Sequence, residues 1–446
     1  MNNDFNIAFT GDSIIARKLP YYNEESVKEL IQLIQETDIS FTNLEVLPND
    51  FKGYPAARTD GAHFAAPSWV LDEIQDMGFN LFSCANNHAL DYGAEGLLAT
   101  IKELEDRNLS YAGIGRNLVE SQMPTYLDVN GANVSMISCS STFFEEQSAG
   151  NQKPDIQGRP GLNPLRFDTV YEVTTEQLNS LKNISKDLGL EQQRQEFIQL
   201  GFASEENNPN IFPFLDTNLR TSAPLNAKFR EAKTPAVRTE PNENAFKDTS
   251  KWIKEAKARS HLTVVSVHAH EQGESREEPA EFVRKFAHRV INEGADIVVG
   301  HGPHLLRGME IYNGKPIFYS LGNFIGQNEL IYKLPADSYS RFGINQSLTP
   351  SELFSIRSQD GNKGFPADEL YWQSVMPICQ FENGVLSGIR IVPIGISHGK
   401  EAYMRGTPYL AKGDEAKNII RKFSDLSNEY GTNIIYKEGE GYISML

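Results

Sequence analysis

The sequence has few cysteines and no long apolar run. Three of its 446 residues are cysteines, and they lie far apart in apolar surroundings. A disulfide framework is therefore not expected, and we predict buried free thiols in a reducing compartment, the cytoplasm. No stretch approaches the roughly 18 to 20 consecutive apolar residues that a membrane helix needs. The N-terminus enters a strand-like stretch at once, so we predict neither an integral membrane segment nor a signal peptide.

Positive charge is also scarce. The chain has 42 Lys and Arg against 59 Asp and Glu, which gives a formal net charge of −17 at pH 7. Binding to nucleic acid requires clustered Lys and Arg that displace counterions, so nucleic acid is not expected as a partner. The composition leaves a small-molecule or peptide substrate, and an anionic substrate would need local positive charge from metal ions. The oligomeric state is not indicated.

Short apolar runs alternate with amphipathic segments, and this alternation predicts an α/β fold. Alternating strands and helices imply parallel strands that are joined by right-handed crossovers. The predicted elements in the first part of the chain are strands at 6–11, 38–45 and 80–85, and helices at 24–37, 67–78 and 92–108.

The alternation stops between residues 141 and 245, where Asn, Gln, Glu and Pro accumulate around a few helical patches. We predict a mainly helical and loop insertion there, which could act as a lid or be a surface decoration without a role in binding. The predicted organisation is a first half of the α/β domain at 1–140, the insertion at 141–245, a second half at 246–400, and a C-terminal helix and strand pair at 401–446.

Polar side chains follow five of the predicted strands. The carboxyl ends of parallel strands line one common crevice, where ligands bind in α/β proteins. A single Asp or Asn at a strand end usually caps the next turn or helix, but five strands here supply only Asp, Glu, Asn and His. The residues at these ends are Asp12; Asn43 and Glu45; Asn86, Asn87 and His88; His268 and His270; and His301 and His304.

This set of side chains favours a divalent metal ion. Carboxylate, amide and imidazole ligands suit Mn, Fe, Zn or Mg, and the lack of cysteine disfavours a structural zinc cluster. A carboxylate that bridges two ions about 3.5 to 4 Å apart is the arrangement that activates water. We therefore expect one or two ions per chain. His261 and His288 have no polar partner in the sequence pattern and are interpreted as structural.

Six segments carry a family resemblance. They are "FTGDS", "TNLE", "ANNHALDYG", "GRPGLNPLRF", "HAHE" and "GHGPHLLRGMEIYNGKPIFYSLGNF". In these segments the chain resembles the capsule-synthesis CapA (PgsA-type) proteins, the poly-γ-glutamate synthesis group of the calcineurin-like metallophosphatase superfamily. The resemblance implies a four-layer α/β/β/α sandwich with a dinuclear metal centre.

The resemblance also implies roles for single residues. His88 corresponds to the general acid, and His270 and Glu271, which the broader superfamily lacks, are assigned to catalysis or substrate contact. The superfamily motif Asp-x-His is replaced by Asp12-Ser13-Ile14, so one ligand is missing. The implied metal ligands are Asp12, Glu45, Asn87, His268, His301 and His304. The residues assigned to substrate binding are Asn43, Arg17, Arg159 and Arg166, with Arg307 as a further cation near the motifs. Tyr92, Tyr319 and Asn323 are interpreted as packing or turn residues.

Three functions are compatible with these residues. The leading one is a metal-dependent hydrolase in which metal-bound water attacks a phosphoester or amide bond, with His88 as general acid. The second is metal-dependent proton transfer, an epimerisation, at the α-carbon of a peptide or carboxylate. The third is a non-catalytic accessory protein of capsule or poly-γ-glutamate synthesis.

Overall fold

The computed structural model describes residues 4–19, 24–129, 132–215, 226–398 and 403–445. The chain divides into two compact units. The first comprises 1–165, 243–279 and 286–446, and the second comprises 166–242 and 280–285. The helices of the described residues are α1 (Glu25–Gln35), α2 (Val70–Asp76), α3 (Gly93–Asp106), α4 (Leu118–Gln122), α5 (Thr175–Asp187), α6 (Leu190–Gln199), α7 (Glu243–Arg259), α8 (Glu281–Glu293), α9 (Ala336–Arg341), α10 (Pro350–Ser358) and α11 (Gly413–Asn428).

Two sheets form the centre of the first unit. Strands are numbered in chain order. The larger sheet contains, in spatial order, β23 (Ile435–Lys437), β24 (Glu440–Ser444), β21 (Val385–Ile396), β20 (Gln373–Glu382), β1 (Phe5–Ile14), β2 (Ile39–Leu44), β5 (Leu81–Ser83) and β6 (Ser110–Ala112), with β19 (Asn323–Gly326) beside β1 and β22 (Pro408–Leu410) beside β21. The smaller sheet contains β17 (Leu306–Tyr312), β18 (Lys315–Leu321), β16 (Ile297–His301), β15 (Leu262–His268), β9 (Ala132–Ser140) and β8 (Thr125–Val129).

Two short ribbons complete the strands of the first unit. They are β3 (Leu47–Pro48) with β4 (Ala65–Ala66), and β7 (Ile114–Gly115) with β10 (Gly161–Leu162). In the larger sheet β1, β2, β5 and β6 run parallel, and in the smaller sheet β9, β15, β16 and β18 run parallel. The predicted α/β class with parallel strands is therefore confirmed.

Apolar spacing explains how these elements pack. In α1 the buried residues Val27, Leu30, Ile31 and Ile34 recur at the helical period and join a core cluster with residues of the larger sheet. A second cluster combines residues of both sheets; it includes Phe9, Phe41, Val264, Val299 and Phe318. The two sheets therefore pack face to face through apolar side chains, and their strand ends can supply one site together.

The second unit differs from the prediction for this part of the chain. It holds a four-stranded sheet in the order β12 (Ile211–Leu215), β13 (Asn226–Glu231), β11 (Phe167–Val173) and β14 (Ala236–Pro241), together with α5 and α6. The expectation of a mainly helical insertion was wrong in this respect. These strands are largely half-buried or exposed, and sequences such as "NAKFRE" lack the apolar run that signals a strand. The role of the insertion as a lid stays a prediction.

Two further expectations concern the cysteines and the membrane. Cys84, Cys139 and Cys379 are buried and free, as predicted. In the part of the chain that the structure describes, no helix combines the length and the apolar character that a membrane crossing requires.

Candidate metal centre

Strand register brings the predicted residues to one level of the two sheets. Asp12 of β1 lies beside Asn43 of β2, and His268 of β15 lies beside His301 of β16. These strands are parallel, so their polar residues gather at the carboxyl ends, where α/β sheets bind ligands. Asp12, Asn43, His268 and His301 are each at most 1% exposed. The residues are therefore placed by the fold rather than by surface loops.

A first group of metal-ligand type consists of Asp12, His268 and His301. The Asp12 Oδ1 atom lies 3.7 Å from His301 Nδ1 and 4.0 Å from His268 Nδ1, and the two Nδ1 atoms are 3.0 Å apart. On its far side, His301 Nε2 is 2.7 Å from Ser266 Oγ, which fixes the ring orientation. Asn43 donates to Asp12 Oδ1 at 2.8 Å and so orients the carboxylate, and the substrate-binding role assigned to Asn43 stays a prediction.

A second group consists of Glu45, His270 and His304. Glu45 contacts a histidine of each group, because its Oε1 is 3.7 Å from His268 Nε2 and its Oε2 is 3.7 Å from His304 Nδ1. His268 Nε2 also lies 3.1 Å from His270 Nε2 and 3.0 Å from Asn87 Oδ1. The six residues proposed as ligands from the sequence thus lie together, and His270 joins them.

The Glu45 carboxylate is the strongest indication of a cation. Among the described residues, neither of its oxygens has a hydrogen-bond partner, although Glu45 is fully buried. An ionised carboxylate without partners is costly in a protein interior unless a cation neutralises it. The two groups of three carboxylate and imidazole side chains, one of which includes Glu45, have the donor chemistry of Mn, Fe or Zn sites. The residues present therefore fit one or two divalent ions.

The protonation states also suit metal binding. Burial first, then the charges of neighbouring histidines, lower the pKa of His268 well below its usual value, and burial lowers the pKa of His270 to about 3 and of His301 to about 4. Burial alone would raise the pKa of Asp12, but its hydrogen bond to His304 and the charges of His304 and His301 hold it at about 2. At neutral pH the imidazoles of His268, His270 and His301 are neutral and Asp12 is ionised, as metal ligands must be.

Glu45 behaves differently, and this leads to a prediction. Burial and the nearby charge of Asp12 raise the pKa of Glu45 well above its usual value of 4.5. We expect Mn²⁺ binding to displace a proton from Glu45 at pH values between 4.5 and the raised pKa, because a ligand must be deprotonated. Calorimetric titration in two buffers with different ionisation enthalpies measures this release. Glu45→Gln should abolish the part of the proton release that comes from Glu45. Equal proton release by Glu45→Gln and by the unsubstituted chain would contradict the prediction.

His88 forms a pair with Asp91 beside the two groups. Its Nδ1 is 2.6 Å from Asp91 Oδ2, and its ring stacks on Phe64 with centroids 4.1 Å apart. Asp91 is itself held by Thr59 Oγ1 at 2.5 Å and by the Phe64 backbone N–H at 2.7 Å. The sequence reasoning missed Asp91, although it lies three residues after His88 in a quoted motif. Because Asp91 engages Nδ1, Nε2 is the ring nitrogen that remains for proton transfer.

The backbone of the turn between His301 and His304 donates a hydrogen bond to a proposed metal ligand. The Gly302 N–H donates to Asp12 Oδ2 at 3.0 Å, and His304 adopts a left-handed φ of 61°. At Gly302, where φ is 115°, an added Cβ would lie 3.1 Å from His270 Cδ2 and 3.2 Å from His268 Cε1. His304 Nδ1 is 3.0 Å from Asn323 Oδ1, so Asn323 orients a proposed ligand and is more than the packing residue expected from the sequence.

Two residues near the motifs hold the loop that follows β15. Buried Arg307 donates to the backbone oxygens of Ala269, His270 and Arg276, so it fixes the loop instead of binding an anion. Glu271 accepts hydrogen bonds from Ser141 at 2.7 Å and from Thr142 at 3.2 Å. Both residues therefore position the loop, and the catalytic role assigned to Glu271 stays a prediction.

The lining of the cavity at the site does not include Arg17 or Arg159, so the substrate-binding role assigned to the arginines stays a prediction. Arg17 is exposed, and Arg159 is exposed and donates to the Ser148 backbone oxygen at 2.8 Å. Neither lines the cavity, and Arg166 belongs to the second unit. The two histidines that the sequence indicated as structural, His261 and His288, contact other parts of the fold. His261 Nδ1 accepts a hydrogen bond from the Asn133 N–H, and His288 forms a hydrogen bond with Glu310 and stacks on Tyr312.

A cavity of about 250 Å³ opens beside the two groups. It lies within the first unit and includes side chains that the sequence did not single out. His88, His270 and His304 form one side of its lining, together with Asn87 and Asp60. The remaining lining residues include Arg357, Lys363, Phe354 and Phe365 from the segment after β19. Its polar lining beside the proposed ligands makes it the candidate substrate site.

Comparison with known proteins gives matches over most of the chain. The family model described as "Bacterial capsule synthesis protein PGA_cap" matches residues 6–328. A Sinorhizobium fredii protein named "Uncharacterized protein y4sH" is 30% identical, over 99% of this chain and 93% of its own length. "Capsule biosynthesis protein CapA" of Bacillus anthracis is 25% identical, over 73% of this chain and 60% of its own. "PGA biosynthesis protein CapA" of Bacillus subtilis is 24% identical, over 71% of this chain and 62% of its own length.

Proposed function

The chain belongs to the bacterial capsule synthesis protein PGA_cap family, and from this membership and its site we propose that it is a metal-dependent hydrolase. It acts on a phosphoester or amide bond. Two Bacillus relatives carry names that refer to capsule or PGA biosynthesis, and we place the reaction in the synthesis of such a polymer. The observation that carries the proposal is the unpartnered Glu45 carboxylate between two groups of ligand type, beside the His88–Asp91 pair.

We further propose that the first unit has the four-layer α/β/β/α arrangement of metallophosphatases. The apolar cluster between the two sheets supports the inner layers. Residues of α1, α2 and α3 that join the larger sheet support one outer layer. The shared strand ends of such a sandwich would explain why ligands from both sheets meet.

In the proposed site each residue has a separate task. Asp12, His268 and His301 would hold one ion, and Glu45, His270 and His304 the other, with Asn87 beside His268. Such ions supply Lewis-acid polarisation of a substrate oxygen and acidify water. The hydrogen bonds from Asn43, Ser266 and Asn323 hold ligand side chains in place, so these three are positioning residues.

His88 would protonate the leaving group. Its Nδ1 bond to Asp91 fixes the ring, and the ring lines the cavity. As the bond to the leaving group breaks, the proton moves from Nε2 to the leaving oxygen or nitrogen. His88 then takes up, through solvent, the proton that the attacking water has lost, which completes the cycle.

The position of Glu271 argues against it as the base of a proton transfer, although His88 and His270 line the cavity and could serve as that base. Epimerisation at an α-carbon needs a base that faces the substrate. The Glu271 carboxylate is instead bonded to Ser141 and Thr142, and Glu271 does not line the cavity. A Mycobacterium tuberculosis relative, 34% identical over 17% of this chain, is named a probable polyglutamine synthesis accessory protein, so a non-catalytic role is the second function to test.

Turnover by the Mn²⁺-loaded protein tests the proposal. The substrates are bis(p-nitrophenyl) phosphate for the phosphoester reaction and a γ-glutamyl p-nitroanilide for the amide reaction. We expect release of p-nitrophenol or p-nitroaniline that depends on Mn²⁺ and is abolished by chelation. A parallel incubation of a glutamyl peptide in D₂O, followed by NMR, detects exchange at the α-carbon. Exchange without hydrolysis would replace our proposal with proton transfer. If neither hydrolysis nor exchange is detected, the result favours the accessory role.

A further inference from the structure

Part of the cavity lining comes from residues 328–372, among them Arg357, Lys363 and Phe365. This segment contains α9 and α10, whose residues Tyr339, Leu353 and Phe354 form a small buried cluster of their own. Ser338 is tied to His63 at 2.8 Å, and His63 in turn contacts the Ala56 backbone oxygen at 2.8 Å. The segment is therefore a packed part of the first unit, and its cavity-facing side chains have a defined position.

Arg357 of this segment is a cation that forms no salt bridge among the described residues, although the charge of Glu329 acts on it. Its guanidinium lies over the Phe342 ring, 4.3 Å from the centroid, and it lines the cavity. Within the described ranges, the Arg357 guanidinium forms no hydrogen bond and no ion pair. Stacking on an aromatic ring orients the planar donor group while its N–H bonds stay available for an oxyanion.

Lys363 adds a second cation to the same cavity lining. It has no ion pair within the described residues, and its backbone N–H is held by the Ser358 oxygen at 2.9 Å. The acidic residues of the lining are engaged elsewhere: Glu329 pairs with Arg405 at 2.8 Å, and Asp60 accepts from Asn87 at 3.4 Å. Two unpaired cations in one cavity are notable in a chain of net charge −17.

We propose that Arg357 and Lys363 form an anion subsite, which binds a carboxylate or phosphate group of the substrate at a distance from the bond that is cleaved. This inference rests on the proposed function and adds the substrate class: an anionic molecule with a second oxyanion besides the reacting group. Arg357 supplies the planar donor fork and Lys363 a compact charge, as oxyanion sites use them. The cavity of about 250 Å³ admits a small molecule or one end of a polymer.

A binding titration tests the subsite without any need for turnover. The full chain, treated with chelator and desalted, is titrated calorimetrically with glutarate, inorganic phosphate and the uncharged control glutaramide. We expect one of the two anions to bind and glutaramide not to bind. Arg357→Ala and Lys363→Ala should each weaken anion binding about tenfold or more, because each removes a charge-assisted contact. Preference for glutarate would assign a carboxylate, and preference for phosphate a phosphoryl group.

Lys333 provides the matched control. It belongs to the same segment, but it lies over the Phe51 ring, 4.5 Å from the centroid, and does not line the cavity. Lys333→Ala should bind the anion as the unsubstituted chain does, and circular dichroism verifies that each variant is folded. The proposal is overturned if neither anion binds, or if Lys333→Ala weakens binding as much as Lys363→Ala does. Because the titration measures binding and not catalysis, it tests the anion subsite even if the protein proves not to be a hydrolase.

Discussion

Replacement of His88 by alanine is expected to lower kcat by about 10² to 10⁴-fold, the usual contribution of general acid catalysis, while the metal content stays unchanged. The reason is that His88 faces the cavity and bonds Asp91, but belongs to neither ligand group. The loss should depend on the leaving group. A phosphodiester with a p-nitrophenolate leaving group needs little protonation, so its hydrolysis should suffer less than that of an alkyl ester.

Two variants separate this role from a structural one. Asp91→Asn should shift the pH profile of kcat with a smaller loss, because Asp91 acts through His88. His261→Ala is the control, since this exposed histidine bonds the backbone of Asn133 and does not line the cavity. Equal losses for both kinds of leaving group, or loss of metal in His88→Ala, would contradict the assignment of His88 as the proton donor.

Replacement of Glu45 by glutamine should have opposite effects on stability and on metal binding. In the metal-free protein, burial and the charge of Asp12 raise the pKa of this carboxyl well above 4.5. A carboxyl whose pKa is raised on folding stabilises the folded state below its unfolded pKa, and this stability is lost as the pH rises through the folded pKa. Glu45→Gln cannot ionise, so its free energy of unfolding should exceed that of the unsubstituted chain increasingly as the pH rises above 4.5.

With Mn²⁺ present the order should reverse. The unsubstituted chain gains stability from bound metal, whereas Glu45→Gln lacks the charge that contacts both groups and should gain little. Thermal unfolding from pH 5 to pH 8, with and without Mn²⁺, measures both effects. Glu73→Gln is a suitable comparison, because the Glu73 carboxyl is also buried with a raised pKa but belongs to neither group. If Glu45→Gln is less stable than the unsubstituted chain without metal, Glu45 has structural partners that our account omits.

The residues at the strand ends were accessible from sequence for a simple physical reason. Parallel strands end at one edge of a sheet, so Asp12 and Glu45 of the larger sheet could be brought together from their positions after apolar runs alone, and so could His268 and His301 of the smaller sheet. His270 was separated from the ligands in the prediction because its motif gave no counterpart. The structure places it with Glu45 and His304, since the loop held by Arg307 turns its ring toward His268.

Other parts of the site depend on packing between distant segments, which a single sequence does not reveal. Arg357 and Lys363 lie in a segment with no clear periodic pattern, and only the fold brings them to the cavity. Arg17 and Arg159 were chosen because they are near the motifs in sequence, which does not ensure proximity in space. The strands of the second unit escaped prediction because both of their faces carry polar residues.

The metal content of the purified protein tests the central claim most directly. The protein is loaded with Mn²⁺, dialysed free of excess metal and measured by inductively coupled plasma mass spectrometry. Two groups of three ligands, with Glu45 in contact with a histidine of each, predict about two ions per chain, and His301→Ala should lose at least one of them. A chain that retains no metal, or a His301→Ala variant with unchanged content, would contradict the account.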